Sequence, residues 1–171
     1  MSLYNATIPQ MRKMLTNMKS WLVEAEQYAD DQSFHQDNFL TARLRLDQFT
    51  LTQQIQSACD TAKGAAARVS GRENPRHEDN EATFEELVAR VDKVLAFLDG
   101  FSEDDFAGID DRVVSLPFLP PTKGAPAADY IIEFVLPNFY FHVTMVYAIL
   151  RHNGVKLGKR KYIGGMNIID T

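Results

Sequence analysis

The stretch AADYIIEFVLPNFYFHVTMVYAILRH, residues 127–152, decides the fold. It reads as one long helix beginning at Ala127 or Ala128 and stopping before Gly154, with Arg151 and His152 placed where cations complement a helix C-terminus. Its apolar content is high, so the helix is expected to lie centrally, packed by its neighbours. Pro137 sits inside it, removes the backbone hydrogen bond to the carbonyl of Glu133, and predicts a kink or local unwinding directly before Asn138.

The flanking sequence supplies helices to pack against it. Ile8, Met11, Leu15, Met18, Leu22, Ala25 and Ala29 recur every three or four residues, which predicts a helix from about Asn5 to Tyr28 with Pro9 near its tolerant start. Met11, Met14 and Met18 read as core filler. After a polar break at Asp30–Ser33, a second helix is expected from about Leu40 to Val69, carrying Leu44, Leu51, Ile55, Ala58, Ala62, Ala65 and Val69 along one side. The small residues late in it permit a close neighbour, and Ser70-Gly71-Arg72 supplies a C-cap. A polar loop then runs to Asn80, and Thr83 with Glu86 forms a capping box opening a third helix. That helix bears Leu87, Val91, Leu95 and Leu98 and ends near Asp99–Gly100.

Between Phe101 and Thr122 the period is lost. Val113–Phe118 has some strand character, but Pro117, Pro120 and Pro121 argue against a central strand and for an excursion across one end of the bundle. Residues 154–159 follow a helix and lack the preceding strand of a phosphate-binding loop, so they read as a turn. Lys156–Thr171 is expected to be irregular, turning at Gly164-Gly165. Four amphipathic helices with long connections predict an all-α four-helix bundle, one domain over residues 1–171.

A chain of 171 residues buries about 70% of its extended surface. Its composition, 45% hydrophobic and 24% charged, is that of a globular domain and excludes a wholly disordered one. Lys plus Arg total 18 against 23 for Asp plus Glu, so the net charge of −5 offers nucleic acid no general attraction. The basic groups Arg68, Arg72, Arg76 and His77, and Arg151, Lys156, Lys159, Arg160 and Lys161, lack the interleaved aromatics of a nucleic-acid track. A single cysteine, Cys59, excludes an internal disulfide, and with no secretory signal pattern the expectation is a cytoplasmic protein. No charge-free run is expected to approach the roughly 18 residues of a membrane span.

Two residues of the long helix carry the chemistry. Asn138 and His142 are four apart and face one neighbour or cavity. An imidazole is a competent metal ligand and an amide oxygen a weaker, harder donor. Asp47, expected near the start of the second helix, is a candidate third oxygen ligand. Asp47, Gln54, Asn138 and His142 equally suit a satisfied polar network in which Asp47 orients the imidazole. Tyr140 should point away from His142, and Cys59, among alanines, reads as an inert buried thiol in a different sector from Asp60.

Leu46-Asp47-Gln48-Phe49, Gln56-Ser57-Ala58-Cys59-Asp60, Ala62-Lys63-Gly64, Pro137-Asn138-Phe139-Tyr140-Phe141-His142, Leu150 to Val155 and Leu157-Gly158-Lys159 together resemble an uncharacterised bacterial and fungal family of DinB-like proteins. The resemblance spans nearly the whole chain. It implies a DinB/YfiT-like four-helix bundle, commonly a homodimer, whose better-known relatives hold a divalent metal with three histidines near the bundle axis; some are thiol-dependent transferases or maleylpyruvate isomerases. Those ligand positions fall on Asp47, Asn138 and His142, of which only His142 keeps the expected residue type. A carboxylate and an amide in place of two imidazoles weaken the expectation of zinc or nickel and admit manganese, magnesium or no metal. The reading preferred from the sequence is a polar pocket for a small ligand, with or without a weakly held ion, built on Asp47, Asn138 and His142 and supported by Gln54. A metal-dependent hydrolase or thiol transferase and a structural homodimer stand as alternatives.

Overall fold

The structure, a computed structural model, describes residues 2–109, 112–116, 119–166, 168 and 169. Helix α1 spans Leu3–Asp31 and starts two residues earlier than its apolar stripe suggests, because the Ser2 hydroxyl accepts from the amide of Asn5 and caps it. Helix α2 is one turn, Asp37–Leu40, and α3 runs from Leu51 to Ser70. The expected second helix is therefore shorter at its N-terminus. Thr50 and Gln53 form a capping box that starts α3, and residues 41–50 are a turn-rich connection closed where the amide of Leu51 donates to the carbonyl of Ala42 at 2.8 Å. Gly71, at φ 79°, ends α3 in the left-handed conformation that glycine adopts without strain. The Thr83–Glu86 box opens α4, Phe84–Asp99.

The excursion after α4 contains a 3₁₀ turn, Glu103–Phe106, and a strand, β1, at Val113–Ser115. β1 pairs antiparallel with β2, Gly124–Pro126, as a two-stranded ribbon outside the bundle. Pro126 stands at the end of that short pairing, where a missing donor costs no central ladder bond. Pro117, cited against a strand, and Phe118 lie outside the described residues. The decisive stretch folds as a short α5, Ala127–Asp129, a π-helical segment, Tyr130–Val135, and α6, Leu136–His152. The unwinding expected at Pro137 takes the form of this wide turn immediately before it. The C-terminal stretch is more ordered than its pattern suggests. Helix α7, Lys159–Ile163, lies on α1, with the Tyr162 ring stacked on Trp21 and the Tyr162 carbonyl accepting from Asn17 Nδ2 at 3.0 Å.

α1, α3, α4 and α6 enclose one core of fully buried side chains, among them Met11, Met18, Trp21, Ile55, Leu87 and Phe139. The centre belongs to α3 rather than to the apolar α6. Ala58, Ala62, Ala65, Ala66 and Ala67 are all buried between neighbours, while α6 and its π segment leave Ile132 and Phe141 in solvent. Residues 127–152 are long and apolar enough to cross a membrane by length and composition, and residues 134–150 carry no Asp, Glu, Lys or Arg, a correction to the expectation that no charge-free run approaches that length. Here they pack along α1 and α3, with Val143, Val146 and Ile149 inside the core.

Candidate functional site

A ladder of polar contacts joins α3 to the π segment and α6. Gln54, Thr61 and Arg68 are spaced by seven residues, so on a helix they fall on nearly one line. Each meets a side chain of the antiparallel neighbour. His142 Nδ1 lies 2.7 Å from Gln54 Oε1, Asn138 Nδ2 donates to Thr61 Oγ1 at 2.8 Å, and Arg68 Nη1 donates to the Tyr130 hydroxyl at 3.2 Å. Thr61 passes its own proton to the carbonyl of Ser57 at 2.7 Å. Between these contacts lies a cavity of about 310 Å³, with Asp60 and Phe134 also on its wall.

The chemistry of the first contact sets the state of the imidazole. Gln54 Oε1 can only accept, so Nδ1 carries the proton and Nε2 keeps its lone pair. Burial drives His142 below its ordinary value, which holds the ring neutral at pH 7. The Phe49 ring stacks on the imidazole, their centroids 6.3 Å apart and their planes within 9°. Among the described residues nothing bonds to Nε2, and His142 faces the cavity. Asn138 spends one amide proton on Thr61 and presents a carbonyl oxygen. One end of the groove is thus rich in acceptors, and a guanidinium marks the other.

The expected site residues separate. Gln54, Asn138 and His142 come together between α3 and α6, Gln54 in contact with the imidazole and Asn138 and His142 on the cavity wall. Asp47 does not join them. It lies in the connection ahead of α3 rather than on the helix, its side chain 76% exposed and paired with Arg45 Nε at 3.3 Å. The cause is the cap: helical geometry begins only after Thr50, so the register that would turn Asp47 inward is absent.

The donor set does not fit a three-ligand divalent ion. Among the described residues no group of three or more His, Cys, Asp or Glu side chains is placed to hold a metal ion. Gln54 is committed to the imidazole and Asn138 to Thr61, which leaves one imidazole nitrogen and one amide oxygen.

Sequence reasoning missed a buried ionic cluster on α3 that shares Asp60 with the groove wall. Arg90, its side chain 1% exposed, pairs with Asp60 at 2.9 Å, Asp79 at 2.8 Å and Glu81 at 2.9 Å, and donates to the carbonyl of Glu78 at 3.1 Å. Lys63, also buried, pairs with Asp60 at 3.2 Å and donates to the Pro75 carbonyl at 2.5 Å. These contacts pin the loop before α4 onto α3. Beside them Cys59 is fully buried, and burial pushes its thiol up to about 12 despite the nearby guanidinium, so the chain's own sulfur is no nucleophile.

Among known proteins, the family model described as "Domain of unknown function (DUF1993)" matches residues 3–163. A solved structure described as that of a DinB family member protein from Shewanella denitrificans superposes with a TM-score of 0.94 at 42% identity, covering 99% of this chain and 96% of that one. None of the curated proteins matches.

Proposed function

Because the chain belongs to the DUF1993 family of DinB-like four-helix bundles, we propose that its groove between α3 and α6 binds a small organic molecule and that His142 Nε2 accepts a hydrogen bond or a proton from it. The observation that carries this is the tautomer: an imidazole held neutral by burial, its Nδ1 proton spent on Gln54, lining a cavity with its remaining lone pair uncommitted. The reading needs neither Asp47 nor a metal ion. Phenol, a hydrogen-bond donor on an apolar ring, tests it in ¹⁵N-labelled protein. Saturable movement of the His142 Nε2 resonance, absent in His142→Ala, is the expected result. Titration with phenol that leaves the resonance fixed overturns it.

A second reading, a homodimer, is favoured by the exposure of Ile132 and Phe141 on so apolar a helix. Sedimentation equilibrium should show a dimer that Ile132→Glu weakens. A monomer at every concentration rejects it.

A further inference from the structure

Arg68 is the one feature of the groove that the reading above leaves unused. Its guanidinium is half-buried, and among the described residues no carboxylate lies within ion-pair distance of it; its partner is the neutral hydroxyl of Tyr130. Asp60, which shares the cavity wall, is held from behind by Arg90 and Lys63. Among the described residues the guanidinium on the groove wall therefore has no carboxylate partner.

The backbone beneath Arg68 makes room for that charge. Gly64 lies in the interior of α3, where glycine is among the poorest helix formers. A Cβ built there would stand 2.6 Å from Arg68 Nη1 and 3.5 Å from its Cζ. Gly64 is the seat of the guanidinium, which folds back one turn along α3 and donates to the Tyr130 hydroxyl. Small size at position 64 is thus tied to where the cation points.

We propose that the ligand of this groove is an elongated organic carboxylate, its carboxylate held by Arg68 and the Tyr130 hydroxyl and a hydroxyl or amine farther along donating to His142 Nε2, an amine having a second proton for Asn138 Oδ1. The proposal rests on the small-molecule reading of the His142 groove and adds its chemical class. A planar guanidinium offers a carboxylate two parallel donors, and the Tyr130 hydroxyl can turn its proton to the same oxygens. A single cation with the Asp60 carboxylate nearby suits a monoanion better than a phosphate dianion. Tyr130 and Phe134, whose rings stack at 6.0 Å with planes 16° apart, supply an apolar wall for an unsaturated body. The axial run from the level of Gly64 to that of Gln54 is ten residues of α3, about 15 Å at the helical rise, so a short acid such as acetate would occupy only the Arg68 end.

The probes are trans-4-hydroxycinnamate and its carboxamide, which differ only in charge at one end. Binding is read from the His142 Nε2 resonance and from thermal stability in wild type, Arg68→Gln, Arg68→Lys and Gly64→Ala. Wild type should bind the carboxylate at least tenfold more tightly than the amide. Arg68→Gln should bring the two to parity, and Arg68→Lys should keep part of the preference. In Gly64→Ala the obstruction is the far end of a flexible side chain, which can move aside. That variant should melt no lower than wild type yet lose most of the preference, a separation that a merely structural role for Arg68 does not produce. Equal binding of acid and amide by wild type overturns the carboxylate assignment while leaving the His142 pocket intact. A preference that survives Arg68→Gln removes Arg68 as the anchor. Failure of both probes to move His142 removes the pocket and this proposal together.

Discussion

Arg90→Met is the most informative test of what holds the loop before α4 against the bundle. Removing one partner of a buried pair costs about 3–5 kcal/mol when the remaining charge is left buried. Here the partners differ in their access to water. Glu81 is 10% exposed, whereas Asp60 and Asp79 are 44% and 58% exposed and can be rehydrated after a small rotation. Only Glu81 is stranded, and it keeps a 2.8 Å bond from Gln56 Nε2. The Asp60 and Asp79 contributions are discounted for solvent screening, which brings the expected loss to about 2–4 kcal/mol. With a urea slope of about 2 kcal/mol/M, the midpoint should fall by about 1–2 M at unchanged slope.

Two further readouts isolate the ionic contribution. Arg90→Met/Glu81→Gln removes the stranded charge and should recover about 1 kcal/mol or more of the single-variant loss. The acid dependence should also change. Burial raises the Glu81 carboxyl, but the hydrogen bonds from Gln56 and Arg90 outweigh it and hold the group below its ordinary 4.5. Its contribution is therefore complete above 4.5 and is lost as the pH falls through the lower folded value, a loss that should shrink in Arg90→Met. A variant within 0.5 kcal/mol of wild type, or a double variant no more stable than the single, refutes the reasoning.

His142 carries its own pH signature: burial places its folded value below 6.5, so the unfolded chain binds the proton first and stability falls as the pH drops from 6.5 toward the folded value. His142→Gln should flatten this arm by up to about 1.4 kcal/mol per pH unit in chemical denaturation, the remainder belonging to His77, lowered by burial and by Lys63, Arg90 and Lys93. Thr50→Ala removes the capping box of α3 and should cost about 1 kcal/mol in the same assay. Asp47→Ala should change stability by less than about 0.5 kcal/mol and leave the His142 resonance in place, since its one partner is exposed Arg45.

The bundle was legible wherever a local signal and a tertiary one agreed. The Thr83–Glu86 box, the Gly71 cap and the stripe from Ile8 to Ala29 each predict what the coordinates contain. The early part of α3 was misread because Leu40 and Leu44 continue the apolar spacing of Leu51 and Ile55, although Thr50 and Gln53 spell a second start. Two consistent periodicities met there, and the helix starts at the Thr50–Gln53 box, whose side chains satisfy amide donors that a helix start leaves open. The π segment was legible only as a disturbance: a proline announces that a bond is missing but not that the turn before it widens.

The candidate site divides along a related line. Asn138 and His142 could be found because they share a helix, and four-residue spacing is a property of sequence. Gln54, Thr61 and Arg68 also share one, and their seven-residue spacing marks a polar seam on α3 that the alanines around it obscure. What no spacing conveys is which opposing residue each one meets. The antiparallel pairing of Gln54 with His142, Thr61 with Asn138 and Arg68 with Tyr130 depends on how far α3 slides along α6, which core packing sets. The Arg90 cluster escapes for the same reason, since Asp60, Asp79 and Glu81 reach it from α3 and from the following loop. Gly64 is the exception that points the other way. A glycine within an alanine-rich helix is a local cost with no local benefit, and its cause, the guanidinium four residues on, lies within reach of helical spacing. A helix-interior glycine four residues before an arginine is therefore itself a readable sign that the cation is being seated, and the fall in carboxylate preference on adding one methyl group is its direct measure.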